Sequence, residues 1–141
     1  MLKVFKINEE QLATLKEKNF KGKILVITEA WCGDSSQTLP VIAKFFEGHN
    51  EVRIFYRDSD PSLINQFLTN GAQAIPKVLI LDENFEVKNT WGPRPKYGFE
   101  LLQKYKANPE EYTKEQFYND LQVYYAKNRG KDTISELLEL L

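Results

Sequence analysis

The sequence predicts an α/β fold: a central mixed β-sheet with helices on both faces, followed by extra helices toward the C-terminal end. Two patterns carry that expectation. Short continuous apolar runs alternate with segments of helical spacing, the order left by crossover connections onto a sheet. Asp82-Glu83-Asn84 then separates the last two strand-like runs by a tight turn, which sets them antiparallel and makes the sheet mixed.

The elements follow in order. Leu2 to Ile7 reads as a short edge strand. Asn8 is placed to cap the first helix, with Gln11 at the capping-box position and Leu12 and Leu15 on the apolar side. Ile24 to Thr28 is a continuous apolar strand of the kind buried on both faces of a sheet. Leu39, Ile42, Ala43, Phe45 and Phe46 recur at helical spacing, Pro40 stands inside that helix as a source of a kink, and Gly48-His49-Asn50 ends it. Val52 to Tyr56 is expected as a second buried strand. Asp60 caps, and Pro61 opens, a helix whose apolar face is Leu63, Ile64, Phe67 and Leu68 and which ends at Asn70-Gly71. Ile75-Pro76 precedes a third strand, Lys77 to Leu81. Phe85 to Trp91 is the fourth, broken by Gly92-Pro93-Arg94-Pro95. From Tyr97 the pattern is helical to about Lys106, then from Thr113 to about Asn128, then from Thr133 to Leu141. Residues 1–107 are expected to form the α/β unit and residues 108–141 a helical extension packed on it.

Composition excludes several functions. Nineteen basic and twenty acidic residues leave a formal net charge of -1, which provides no electrostatic footprint for nucleic acid or an anionic membrane. The apolar runs are too short to span a bilayer. Charges at Lys3 and Lys6 interrupt the stretch where a signal peptide needs its apolar region, so a cytoplasmic chain is expected. One cysteine rules out an internal disulfide, and one cysteine with one histidine gives no metal-ligand spacing. No cofactor and a monomeric state are expected. Tyr112, Phe117, Tyr118, Tyr124 and Tyr125 read as packing of the terminal helices.

The chemistry concentrates at Trp31-Cys32-Gly33-Asp34-Ser35. The cysteine follows a buried strand and opens a helical pattern. A helix start offers unpaired N–H groups and a positive dipole end, both of which favour thiolate over thiol. Three residues on, where a dithiol redox site would carry its second cysteine, stands Ser35.

This order of elements, with Trp31-Cys32-Gly33 at the first long helix, resembles the thioredoxin family. The tripeptide is similar to the first half of that family's Trp-Cys-Gly-Pro-Cys, and Pro40 matches the proline of its active-site helix. Ile75-Pro76 resembles the isoleucine and cis-proline that sit opposite the cysteine, and Gly92 the glycine that closes the substrate groove. The resemblance covers about residues 2 to 107, and the run Thr28 to Asp34 is also similar to a bacterial branch of thioredoxin-like proteins. It implies a thioredoxin-like fold with Cys32 as nucleophile. It also implies a groove of Trp31, Gly33, Asp34, Ile75, Pro76 and Gly92, where backbone groups before a cis-proline pair with an extended substrate.

Three departures bear on function. Ser35 replaces the resolving cysteine, Asp34 the intervening proline, and Val26 the buried aspartate that accepts a proton. The internal disulfide and a general base are therefore missing. A glutaredoxin's Gly-Gly-x-Asp-Asp is replaced by Trp91-Gly92-Pro93-Arg94-Pro95-Lys96. A one-cysteine peroxidase is disfavoured, because Leu25 and Glu29 stand where such enzymes carry Pro and Thr.

A lone thiol can still exchange with a mixed disulfide if an external small thiol completes the cycle. Ser35 is placed to donate a hydrogen bond to the thiolate, whereas the Asp34 carboxylate opposes a second negative charge. Arg94 and Lys96 are candidates to offset Asp34 or to bind a carboxylate of the small thiol; as ordinary loop residues they would be solvated. The expected partners are protein or small-molecule thiols and disulfides. The competing expectation is a redox-inactive module that binds a protein through the same groove.

Overall fold

A computed structural model of the chain describes residues 6–29 and 33–141. Its elements are α1 (Glu9–Lys18), β1 (Lys23–Thr28), α2 (Gly33–Phe46), β2 (Val52–Tyr56), α3 (Pro61–Ile64), β3 (Lys77–Leu81), β4 (Val87–Trp91), α4 (Lys96–Ala107), α5 (Lys114–Asn128) and α6 (Lys131–Leu140), with a 3₁₀ turn at Arg57–Ser59. The sheet order is β2-β1-β3-β4. β1 runs parallel to β2 and antiparallel to β3, and β3 is antiparallel to β4. The mixed sheet with extra terminal helices is the expected architecture.

Helices cover both faces of β1, which explains its unbroken apolar run. Ile24 and Val26 face α2 and α6, packing with Val41, Ile42, Phe45, Phe46, Ile134 and Leu137. Ile27 faces the other way and packs with Leu79, Ile75 and Ile64. β2 departs from expectation. Among the described residues it pairs with β1 alone, and Ile54 and Tyr56 are 51% and 52% exposed. An apolar run reports strand propensity, and its place in the sheet order decides burial.

Three boundaries differ for local reasons. In the expected edge strand Leu2 to Ile7, residues 2–5 lie outside the described residues, and Lys6 and Ile7 are not in a strand. The third helix is a single turn, Pro61–Ile64, with Asp60 accepting from Ser62 N at 3.1 Å. Phe67 N bonds back only to Ile64 O (2.9 Å), and Thr69 and Ala72 then bridge to each other. β4 starts at Val87, because the turn takes more residues than its sequence suggests. Asp82 accepts from both Asn84 N (2.8 Å) and Glu86 N (3.0 Å), and Phe85 sits at φ +67°.

Side chains tie the terminal helices down. Asn8 caps α1 as expected, but Gln11 does not complete the capping box. Its amide instead reaches α6, donating to Lys131 O and to Ser135 Oγ, both at 2.9 Å. Thr113 and Gln116 do form a capping box at α5. Leu101, Tyr112, Phe117, Leu121 and Tyr125 make a separate apolar cluster between α4 and α5. α6 lies along the end of β4, where Asn89 Nδ2 donates to Leu140 O at 2.8 Å.

Candidate functional site

β1 ends at Thr28 and α2 begins at Gly33, so the only cysteine stands one residue before a 14-residue helix. Cys32 itself, with Trp31, lies outside the described residues, as does the side chain of Asp34. The residues that flank them in the chain are described. Ser35 is 2% exposed and Thr28 1%, and their hydroxyls are hydrogen-bonded to each other. Thr28 also donates to Glu29 O at 3.3 Å. A hydroxyl has one hydrogen. With that of Thr28 on Glu29, the hydrogen between the two hydroxyls belongs to Ser35, which then has none left for the thiolate. Val26, at the position where the resemblance expects an aspartate, is fully buried, so among the described residues this interior holds hydroxyls and no carboxylate.

The residues expected opposite the cysteine are assembled by strand register. Val78 pairs with Trp91, which brings the start of β3 to the end of β4. The Ile75-Pro76 peptide is cis, and so is Gly92-Pro93. Gly92 adopts φ +119°, and a Cβ there would stand 2.2 Å from Pro76 O. Only a residue without a side chain lets the two backbones approach this closely. Ile75, Pro76 and Gly92 are thus together.

The two loop cations diverge. The Arg94 side chain lies against Gly98, with its guanidinium 5.7 Å from the centre of the Phe99 ring. Lys96 opens α4, and its side chain is exposed. Its backbone N–H donates to Glu136 Oε2 at 3.0 Å. Glu136 Oε1 accepts from the indole N–H of Trp91 at 2.9 Å, which satisfies a ring that is 6% exposed.

Three residues at or beside this region were missed. Thr28 shares a strand face with Val26, so period-two reading places it inward. Lys77 follows Pro76 and shares a face with Ile75 and Leu79. It is 8% exposed, its Nζ donates to Thr69 Oγ1 at 3.1 Å, and burial holds its pKa below that of an ordinary lysine. Glu136 lies 45 positions from Trp91, and no local pattern points to it. No group of three His, Cys, Asp or Glu residues among those described is arranged to hold a metal, and no described helix is long and apolar enough to cross a membrane.

The thioredoxin family profile matches residues 1–106. The chain belongs to the thioredoxin family. Its marks, Trp31-Cys32-Gly33, Pro40, Ile75-Pro76 and Gly92, all fall inside the matched span, while α5 and α6 lie beyond it. No curated protein matches the sequence. Among solved structures, a protein of unknown function from Pseudomonas aeruginosa superposes with a TM-score of 0.70 at 20% identity, over 96% of this chain and 74% of that one. An HIV epitope scaffold superposes with a TM-score of 0.72 at 20% identity, over 99% of this chain and 76% of the scaffold. Both likenesses reach across the terminal helices and concern the fold alone.

Proposed function

We propose that this thioredoxin-family chain is a single-cysteine thiol–disulfide oxidoreductase acting through Cys32 on mixed disulfides between a protein and a small thiol. The observation that carries the reading is the start of α2 one residue after the only cysteine, in a chain that also brings the backbones of Pro76 and Gly92 together. Unpaired N–H groups at a helix start lower a thiol's pKa.

The cycle balances with one cysteine. The Cys32 thiolate attacks the small-thiol sulfur of the mixed disulfide. The protein–small-thiol S–S bond breaks, a Cys32–small-thiol disulfide forms, and the protein sulfur leaves as thiolate and takes a proton from water. A second small thiol, as thiolate, then attacks the Cys32 adduct. Cys32 is released, and two small thiols depart joined as their disulfide. The small thiol is the reductant, and the protein mixed disulfide is reduced.

The test is mass spectrometry of the intact protein after oxidised glutathione or oxidised bacillithiol, then after the reduced form. A fast adduct at Cys32 that the same reduced thiol removes is expected. One observation favours the second reading, a redox-inactive binding module: the buried Ser35 hydroxyl is hydrogen-bonded to Thr28. Absence of an adduct, with Cys32 slow toward iodoacetamide, would establish that reading instead.

A further inference from the structure

Glu136 lies in α6, beyond the span matched by the family profile. Its two carboxylate oxygens take one donor each, the Trp91 indole N–H at 2.9 Å and the Lys96 backbone N–H at 3.0 Å. Those donors are the residues that flank Gly92-Pro93-Arg94-Pro95. This segment carries Gly92 against Pro76 O, and on the reading above it is one wall of the groove. One carboxylate therefore holds the wall at both ends.

Pro93 and Pro95 have no N–H to donate. Pro95 is the N-cap of α4 and provides no side-chain cap. Glu136 supplies from another helix what a capping Ser or Asp would supply locally, an acceptor and a negative charge at the helix start. At the other end it satisfies a buried indole N–H, which keeps Trp91 seated opposite Val78. α6 is itself fastened, through Asn89 to Leu140 O at 2.8 Å and through Gln11 to Lys131 O and Ser135 Oγ. The anchor is thus attached to the body of the protein.

We propose that Glu136 is a positioning residue of the groove, fixing the Gly92–Pro95 wall against Pro76 so that an extended disulfide-bearing peptide can lie across the junction of the two. The proposal rests on the reading of the groove given above, and it assigns the terminal helix a part in substrate binding.

The experiment measures the affinity of a glutathionylated peptide for Cys32→Ser protein, so that binding is read without turnover. Adding Glu136→Ala should raise Kd by about tenfold, the scale expected when groups that position a substrate move by a fraction of an ångström to an ångström. Glu136→Gln keeps one acceptor oxygen and should fall between. Leu137→Ala removes a fully buried side chain from the same helix and controls for lost stability. It should lower the melting temperature and leave Kd near the parent value. With Cys32 intact, Glu136→Ala should not change the iodoacetamide rate, since the small reagent needs no wall. The proposal is overturned if Glu136→Ala binds the peptide as Leu137→Ala does, or if the Cys32→Ser parent binds no peptide. Absence of a thiol adduct on the unsubstituted protein would sink the oxidoreductase reading alone, and the Kd comparison would still decide the role of Glu136.

Discussion

Gly92→Ala tests the close approach on which the groove depends. A Cβ at this position would lie 2.2 Å from Pro76 O and 3.3 Å from Pro76 C, whereas ordinary contact begins near 3.4 Å. The obstruction is backbone, so no side chain can swing aside, and β3 and β4 must part by about an ångström. Overpacking of this kind costs about 1–3 kcal/mol. The φ of +119° adds about 1–2 kcal/mol of strain for a residue with a side chain. The sum is about 2–5 kcal/mol, against a total stability of about 5–15 kcal/mol for a domain. Gly48→Ala is the control: it has φ +79° and nothing within 4 Å of a built Cβ, so it carries the strain without the clash. Urea unfolding followed by tryptophan fluorescence measures both. Gly92→Ala should shift the midpoint well below that of Gly48→Ala, with a difference of about 1–3 kcal/mol assigned to the clash. If the two variants unfold together, Gly92 does not hold the groove closed against Pro76.

Lys77→Met should stabilise the protein by about 1–2 kcal/mol in the same assay, since the buried ammonium is hydrogen-bonded to a neutral hydroxyl, Thr69 Oγ1, and methionine fills similar space. The sign against pH follows from the lowered pKa. Between the folded-state value and the ordinary 10.5, the unfolded chain binds more protons, so stability should rise with pH across that window and the rise should vanish in Lys77→Met. Tyr112 works the other way: burial and its bond to Asp120 push it up to about 12, so its contribution is present below 10 and lost as pH climbs toward about 12. Ser35→Cys should restore a dithiol site; oxidation would then remove a pair of hydrogens from the intact mass, and a thiol that stays free under oxidised glutathione would refute the placement of Ser35 at the resolving position.

Most of the sheet was legible because β1 and β3 are covered on both faces, and such strands announce themselves as apolar runs. β2 carries the same signal in Val52 to Tyr56 but lies at the edge of the described sheet, and a propensity has no term for strand order. The sequence suggests a longer α3 because Leu63, Ile64, Phe67 and Leu68 have helical spacing. Only Ile64 of these is fully buried, and the chain turns after it. At the site, motif residues give position along the chain and say nothing of hydrogen bookkeeping. Ser35 was expected to face the thiolate, yet its hydroxyl bonds to Thr28, whose inward direction follows from strand alternation alone. Glu136 was illegible in principle, since a contact across 45 positions is made by tertiary packing.

The substitutions at Val26 and Ser35 have a joint consequence for how Cys32 titrates. A dithiol site with a buried aspartate holds three groups that exchange protons with one another, and coupled groups titrate in broadened, shared steps. Here the corresponding interior holds a valine and a pair of hydroxyls that do not ionise near neutrality. The one histidine, His49, follows the far end of α2 and is exposed. Fourteen residues of helix put about 20 Å between its two ends, beyond the screening length of about 8 Å at physiological ionic strength. Cys32 alkylation by iodoacetamide should therefore follow a single ionisation between pH 5 and 9, with a slope of one on a logarithmic plot below its pKa. Ser35→Ala should move that curve little, because the Ser35 hydrogen already lies on Thr28. A second inflection near neutrality would mean that another titrating group reaches the thiol. A large rise in pKa on Ser35→Ala would mean that the hydroxyl hydrogen points to the thiolate and not to Thr28.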